Sequence, residues 1–280
     1  MVGVDVFQMG HRPQRSDLLV IAGFIRPLVF LRGLQLGRPS LSRWSPALMM
    51  TMSGLVVEPL AWLQSLLIRR QLRALRLPPD PIVVIGHWRS GTTYMHQLLT
   101  TTRRFERLWL HVTQLTWLHA GAGRSHLLIR TPAHSARVSM VLKHFPKARF
   151  IFLEREPIDS IRSLVQVKQR MSGLIGLQPL PDQITQVEDT ATAHHELMQA
   201  FEASRHLIPK GQLVEVAFSD LVRQPFDEVK RIYETFGLRS WDSAQAHIRQ
   251  RIEQSATYQA DPVVLERPAE QRLRELMGVG

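Results

Sequence analysis

The run His87-Trp88-Arg89-Ser90-Gly91-Thr92-Thr93 gathers hydroxyl donors and a permanent cation around one glycine. Hydroxyls, main-chain N–H groups and a guanidinium in one short stretch suit an anionic ligand. The elements that must position them are visible on both sides. Residues 82–85 are β-branched and apolar, as a buried parallel strand requires. Gly86 ends that run, and Thr92, Thr93, Tyr94, Met95, Leu98 and Leu99 read as the first turns of a helix. A strand, a glycine-bounded loop and a helix N-terminus aim N–H groups and partial positive charge at one spot.

The spacing Gly86-x-x-x-x-Gly91 matches that of a nucleotide P-loop, but the residues after it differ. Thr92 stands where such loops carry Lys, and the cation, Arg89, lies inside the loop. The ligand this loop suits is anionic and is not a triphosphate. The competing reading is an ordinary strand–turn–helix with a pair of glycines.

Downstream, apolar runs alternate with helical stretches. His126–Arg130, Arg149–Glu154 and residues 212–217 read as the second, third and fourth strands. Helices are predicted over residues 105–119, 135–144, 157–171, 183–206 and 226–236, with a loop at 173–182 placed to act as a flap. The tail from residue 239 reads as charged and mostly helical, broken at Pro262 and Pro268. Strands alternating with helices predict an α/β fold: a P-loop-like, three-layer domain with a central parallel sheet flanked by helices. Ligands in such sheets bind beyond the strand C-terminal ends. Residues 86–93, 130–134 and 155–163 all fall there.

The chain has 280 residues, enough for one large α/β domain with an appendage. It has no cysteine, which excludes disulfides, thiolate metal sites and cysteine nucleophiles. Its histidines are scattered, His194-His195 being the one adjacent pair, so no metal site is expected. The formal charge of +11 comes from 30 Arg and 5 Lys against 24 acidic residues. No recognition-helix, RNP or zinc-finger pattern accompanies it, so no nucleic-acid partner is expected. An anionic ligand and an anionic membrane surface account for the charge, and base composition of the genome for part of it.

The N-terminal part, residues 1–78, reads as an apolar and basic helical segment, separated by the proline-rich stretch at 77–81 from the α/β unit of residues 79–280. Residues 1–16 lack signal-peptide shape. Residues 18–36 are apolar but hold Arg26, Pro27 and Arg32, and residues 46–68 carry one charge, Glu58, next to Pro59. Arg69, Arg70, Arg73 and Arg76 follow. Glu58-Pro59 is expected to split the longer stretch into halves too short to cross a bilayer, which favours a monotopic amphipathic pair. A helical layer packed on the domain, and a single span, are the alternatives.

His-Trp-Arg-Ser-Gly-Thr-Thr after an apolar strand resembles the 5′-phosphosulfate loop of sulfotransferases that use PAPS (3′-phosphoadenosine 5′-phosphosulfate), most of all their bacterial branch. The resemblance runs over residues 45–238 and rests on three motifs in order. It implies a sulfotransferase that moves the sulfuryl group of PAPS to a hydroxyl or amine by in-line displacement, leaves PAP (adenosine 3′,5′-bisphosphate) and uses no metal. The 5′-phosphosulfate would be held by Arg89, Ser90, Gly91, Thr92 and Thr93. Arg155 and Ser163, eight residues apart, resemble the 3′-phosphate pair. Arg89 stands where cytosolic members carry Lys and would stabilise the bridging oxygen as a permanent cation. Arg130-Thr131-Pro132-Ala133-His134 resembles the branch's Lys-Ser-Pro-x-His pattern, which makes His134 the expected base, with Arg130 assisting at the phosphosulfate. His87 is the second candidate base, ahead of Glu154 and Glu156. Two features depart from the pattern: only residues 100–125 remain where relatives carry a long acceptor-side insert, and the tail holds no Arg-Lys-Gly motif. The expected partners are a small-molecule, lipid or glycan acceptor and an anionic membrane surface. The expected location is cytoplasmic or peripheral on the cytoplasmic membrane face. A P-loop-like nucleotide kinase and a non-catalytic, membrane-associated PAP- or nucleotide-binding protein are the alternatives.

Overall fold

The computed structural model describes residues 27–37, 39–67, 69–70, 78–100, 105–107, 126–255 and 263–279. In chain order its helices and strands are α1 Pro27–Leu36, α2 Trp44–Leu67, β1 Ile82–Gly86, α3 Thr92–Leu99, β2 Phe105–Arg107, β3 His126–Arg130, α4 Val138–His144, β4 Arg149–Glu154, α5 Pro157–Ile175, α6 Gln183–Arg205, β5 Leu213–Ala217, α7 Phe218–Arg223, α8 Pro225–Thr235, α9 Trp241–Ser255 and α10 Arg267–Leu276. Short 3₁₀ turns at Leu41–Arg43 and Pro132–Arg137 precede α2 and α4.

The continuous apolar run of β1 exists because both of its faces are covered. Ile82 and Val84 pack with Met95 and Leu98 of α3 and Val229 and Ile232 of α8. Val83 and Ile85 point the other way, toward Val138 of α4 and Phe201 of α6. Phe201 stacks on Phe152 of β4 with ring centroids 4.2 Å apart. Burying each of these side chains stabilises the fold by about 1.5–3 kcal/mol. The sheet has five parallel strands in the order β2-β3-β1-β4-β5, so β1 is central. A third apolar cluster joins α5, α6 and α10, through Ile161, Val165, Val187 and Leu273. There Arg162 Nε donates to Glu270 Oε2 at 3.0 Å.

The architecture matches the α/β expectation, with several local corrections. Phe105–Arg107 is not the start of a helix. It is an edge strand paired in parallel with β3, Phe105 opposite His126. A segment this short is defined by its ladder partner and not by its own periodicity. Among the described residues there are therefore five strands, not four, and His126–Arg130 is the third of them in chain order. Pro59 does not split the N-terminal helix: α2 runs through it. Pro59 and Leu55 both lie on the exposed side, where the helix can bend away from the proline ring without disturbing a packed neighbour. Helix α5 runs on to Ile175, which shortens the predicted loop. Its Gly176 N–H donates to Ser172 O, and Leu177 O accepts from Ser40 N–H at 2.9 Å. Pro268 opens α10 instead of breaking a helix, since its missing N–H is harmless in the first turn. The expectations for residues 1–26, 68, 71–77, 101–104, 108–125 and Pro262 lie outside the described residues.

Candidate functional site

The loop after β1 is held open by two glycines that no other residue could replace cheaply. Gly86 has φ 140° and Gly91 φ 90°. A Cβ on Gly86 would lie 2.5 Å from the Leu153 carbonyl oxygen, and one on Gly91 would lie 2.5 Å from the Phe218 ring. Between them Arg89 has φ 70°, the one positive φ outside glycine among the described residues. Such backbone in a bulky residue costs about 1–2 kcal/mol, so the surrounding contacts must hold it.

Those contacts are specific. Ser90 Oγ donates to His87 O at 2.8 Å, closing the loop on itself. Ser135 Oγ accepts from Gly86 N–H at 2.9 Å and donates to Gly86 O at 3.0 Å. Arg155 Nη1 donates to Arg89 O at 2.8 Å. The Arg89 side chain crosses to α5, where its Nε–H donates to Ser163 Oγ at 2.9 Å. Arg130 Nη1 donates to the Thr93 hydroxyl in the first turn of α3. Two bonded sets result, Arg155–Arg89–Ser163 and Arg130–Thr93, and Ser90, Gly91 and Thr92 lie on the loop and helix start that carry Arg89 and Thr93. In that first turn the main-chain N–H groups have no intrahelical acceptor.

The register explains the meeting. Gly86 pairs with Leu153, and Glu154 with Ala217, so β4 and β5 end together and β1 one residue before them. The residues that follow these ends, His87, Arg155 and Phe218, leave the same end of the sheet on neighbouring strands. Burial holds the Arg130 and Arg155 guanidinium groups below their ordinary pKa. A cation stripped of water gains most from an anion placed against it.

His134 lies on the 3₁₀ turn after β3, next to Ser135. It is half-buried, and its Nδ1 has no hydrogen-bond partner. Burial and then the nearby Arg137 charge lower its pKa. No direct bond joins it to Arg89 or Thr93; its tie to the loop runs through its neighbour Ser135. His87 sits differently. It is 3% exposed, its Nδ1 hydrogen-bonds Trp88 O at 2.8 Å, and its Nε2 has no partner. Its ring lies 4.3 Å from that of His194 on α6. Burial, then the His194 and Lys168 charges, push its pKa down to about 4, against the Trp88 carbonyl. Glu154 and Glu156 are exposed.

Three neighbours escaped the sequence reading. Ser135 clamps the loop's first residue, yet in sequence it resembles any serine opening a helical turn. Phe218 packs against Gly91 and lies 4.6 Å beneath the Arg155 guanidinium. Its signal was its place one residue past the end of β5, on the ligand-binding edge of the sheet. His194 gave no signal beyond adjacency to His195. Among the described residues no group of His, Asp and Glu could hold a metal ion.

Comparison with known proteins agrees with this arrangement. The model of the sulfotransferase family matches residues 105–243, a range that contains Arg130, His134, Arg155 and Ser163 and begins after the glycine loop. Two curated relatives are the omega-hydroxy-beta-dihydromenaquinone-9 sulfotransferases Stf3 of Mycobacterium bovis and Mycobacterium tuberculosis. Each is 21% identical over 307 aligned residues, covering 79% of this chain and 79% of the relative. The crystal structure of sulfotransferase STF9 from Mycobacterium avium shares the fold with a TM-score of 0.68 at 14% identity, over 97% of this chain and 96% of that one. Sulfotransferase STF1 from Mycobacterium tuberculosis H37Rv gives 0.63 at 15% identity, over the same shares of the two chains. In the family match over residues 105–243, in its curated relatives and in its fold, the chain is similar to sulfotransferases.

Proposed function

We propose that the protein is a sulfotransferase that takes PAPS as donor and transfers its sulfuryl group in line to a hydroxyl or amine of the acceptor. The observation that carries the reading is the bonded chain Arg155–Arg89–Ser163, which brings a loop cation and a helix hydroxyl together at adjacent strand ends. The residues fit a donor with phosphate at both ends of a ribose. The cleared backbone of Gly86 and Gly91 and the N–H groups opening α3 suit one anionic end. Arg155 and Ser163, on the neighbouring strand and helix, suit the other. PAPS supplies an activated sulfonate whose phosphate leaving group needs little protonation at neutral pH.

The chain's own work is then charge stabilisation and proton removal. Arg89 and the Thr92 and Thr93 hydroxyls steady the charge on the sulfonate and bridging oxygen. Arg130 orients Thr93 and adds a second cation. Arg155 and Ser163 fix the 3′-phosphate, and Phe218 holds Arg155 in place. His134 takes the acceptor proton: its lowered pKa keeps it neutral, and its Nδ1 has no competing partner. His87 is the poorer base, being closed off by Trp88 and His194. We take the acceptor to be a hydroxylated lipophilic molecule, because the curated relatives are named for a hydroxylated menaquinone. Residues 1–78 and 79–280 serve in this reading as a helical segment and the donor-binding domain.

The test is calorimetric titration with PAP and, in parallel, ATP, on wild type and Arg155→Ala. The expected result is PAP binding in the micromolar range, roughly −8 kcal/mol, weakened at least about tenfold in the variant, with no binding of ATP. No PAP binding would remove the donor assignment, and ATP binding in its place would promote a kinase.

A further inference from the structure

Helix α2 wears its amphipathicity inside out. Ala47, Met50 and Gly54, spaced for one helical face, are buried, and they are small or flexible. The opposite face carries the bulk: Trp44, Leu48, Val56, Leu60, Trp62 and Leu67 are all exposed, Trp62 to 66% and Leu67 to 74%. A surface helix of a water-soluble domain turns charged side chains outward. The one ionisable residue of α2, Glu58, is half-buried and off the exposed strip. A contiguous apolar strip of this kind marks an interaction surface.

The charges around the strip identify its occupant. Arg69 and Arg70, directly after α2, are exposed, as is Arg32 on the neighbouring α1. Arg43 stands just before Trp44. Both ends of the strip are therefore positive, within a chain of net charge +11. A second copy packed on this face by two-fold symmetry would set arginine against arginine in either helix direction. A bilayer with anionic headgroups meets both features at once, apolar in the middle and negative at the rim. Trp44 and Trp62, separated by about 27 Å along a helix, suit the interfacial layer that tryptophan favours. Among the described residues no helix is long and apolar enough to cross a membrane.

We propose that α2 lies flat in the interface of an anionic bilayer, with its apolar strip at the acyl boundary and Arg32, Arg69 and Arg70 on lipid phosphates. The Ser40 N–H to Leu177 O bond ties this segment to the connection between α5 and α6, so the docked helix is fixed to the helix that carries Ser163. The surface stands whether or not PAPS is the donor.

The test uses the full chain and sedimentation with vesicles of phosphatidylcholine, alone or with about one third phosphatidylglycerol. Wild type is expected to partition about tenfold more onto the mixed vesicles. Brominated lipid is expected to quench its tryptophan fluorescence. Arg69→Gln with Arg70→Gln removes the preference for mixed vesicles. Leu60→Gln with Leu67→Gln, both at exposed positions, lowers binding to both. Unchanged far-ultraviolet circular dichroism certifies the variants, and the quenching needs none of them. Wild type that neither sediments nor is quenched overturns the proposal. So does a dimer by light scattering that is dispersed by Leu60→Gln with Leu67→Gln while vesicles are ignored.

Discussion

In the proposed mechanism the imidazole that accepts the proton must be neutral, and burial keeps His134 neutral over a wider range than an ordinary histidine. Its pKa is lowered, so the working form persists as the pH falls below the usual value near 6.5. The acid limb of the kcat profile is expected to lie below that value, with rate rising as pH rises through the lowered pKa. Removing the base by His134→Ala should reduce kcat by about 10²–10⁴-fold. PAP affinity should stay within about twofold of wild type, because no bond joins His134 to the anion-holding residues. Stopped-time assays across pH, paired with PAP titration, check both halves; a variant that keeps its kcat would transfer the role to another group. At this scale the sequence was readable where chemistry is local. Type and spacing alone placed Arg89, Ser90, Gly91, Thr92 and Thr93 on one loop and helix start after a strand. That Arg89 reaches Ser163 was not readable, since 74 residues separate them and only the pairing of β1 with β4 closes the gap. Phe218 was hidden for the same reason, as its partners Gly91 and Arg155 come from two other strand ends.

Among the elements, the joint between β1 and α3 is the most exacting. Gly91→Ala meets two obstacles: a φ of 90° and the Phe218 ring 2.5 Å from the new methyl. The backbone part alone costs about 1–2 kcal/mol, and the clash must push either Phe218 or the helix start. PAP binding is expected to fall at least about tenfold, and chemical denaturation should show a loss of about 2 kcal/mol. Adding Phe218→Ala should recover the steric share and leave the backbone share, which a double-mutant cycle reads directly. A fully additive cycle would deny that Phe218 touches the loop. Elements were legible in proportion to how much of their stability is their own. β1, β4 and α8 carry clear apolar patterns. β2 exists through its ladder to β3, and α2 survives Pro59 because the ring sits on a side where no packed neighbour resists a bend. Neither reason is written in the segment itself.

For the molecule as a whole, His87 links folding to pH. Its folded pKa is about 4, against about 6.5 when unfolded. Between those values the unfolded chain binds the extra proton, so stability rises with pH there. The contribution is full above about pH 6.5 and lost as pH falls toward 4. Its size is at most about 3 kcal/mol, since each tenfold difference in proton affinity between the two states is worth about 1.36 kcal/mol. The difference between urea midpoints at neutral pH and at pH 5 should therefore shrink in His87→Asn, the remainder being carried by His134 and His194, whose pKa values burial also lowers. Equal slopes in both proteins would place the titrating group elsewhere.

The pairing of β1 with β4 has a metric consequence. His87 and Arg155, which follow the two strand ends, leave neighbouring strands about 4.8 Å apart. Side-chain changes in the loop leave that strand spacing unchanged. A one-residue slip of β4 against β1 would carry Arg155 about 3.3 Å along its strand and turn the strand's side chains to the opposite face. The sheet is in this sense the calliper, and the loops are only its jaws.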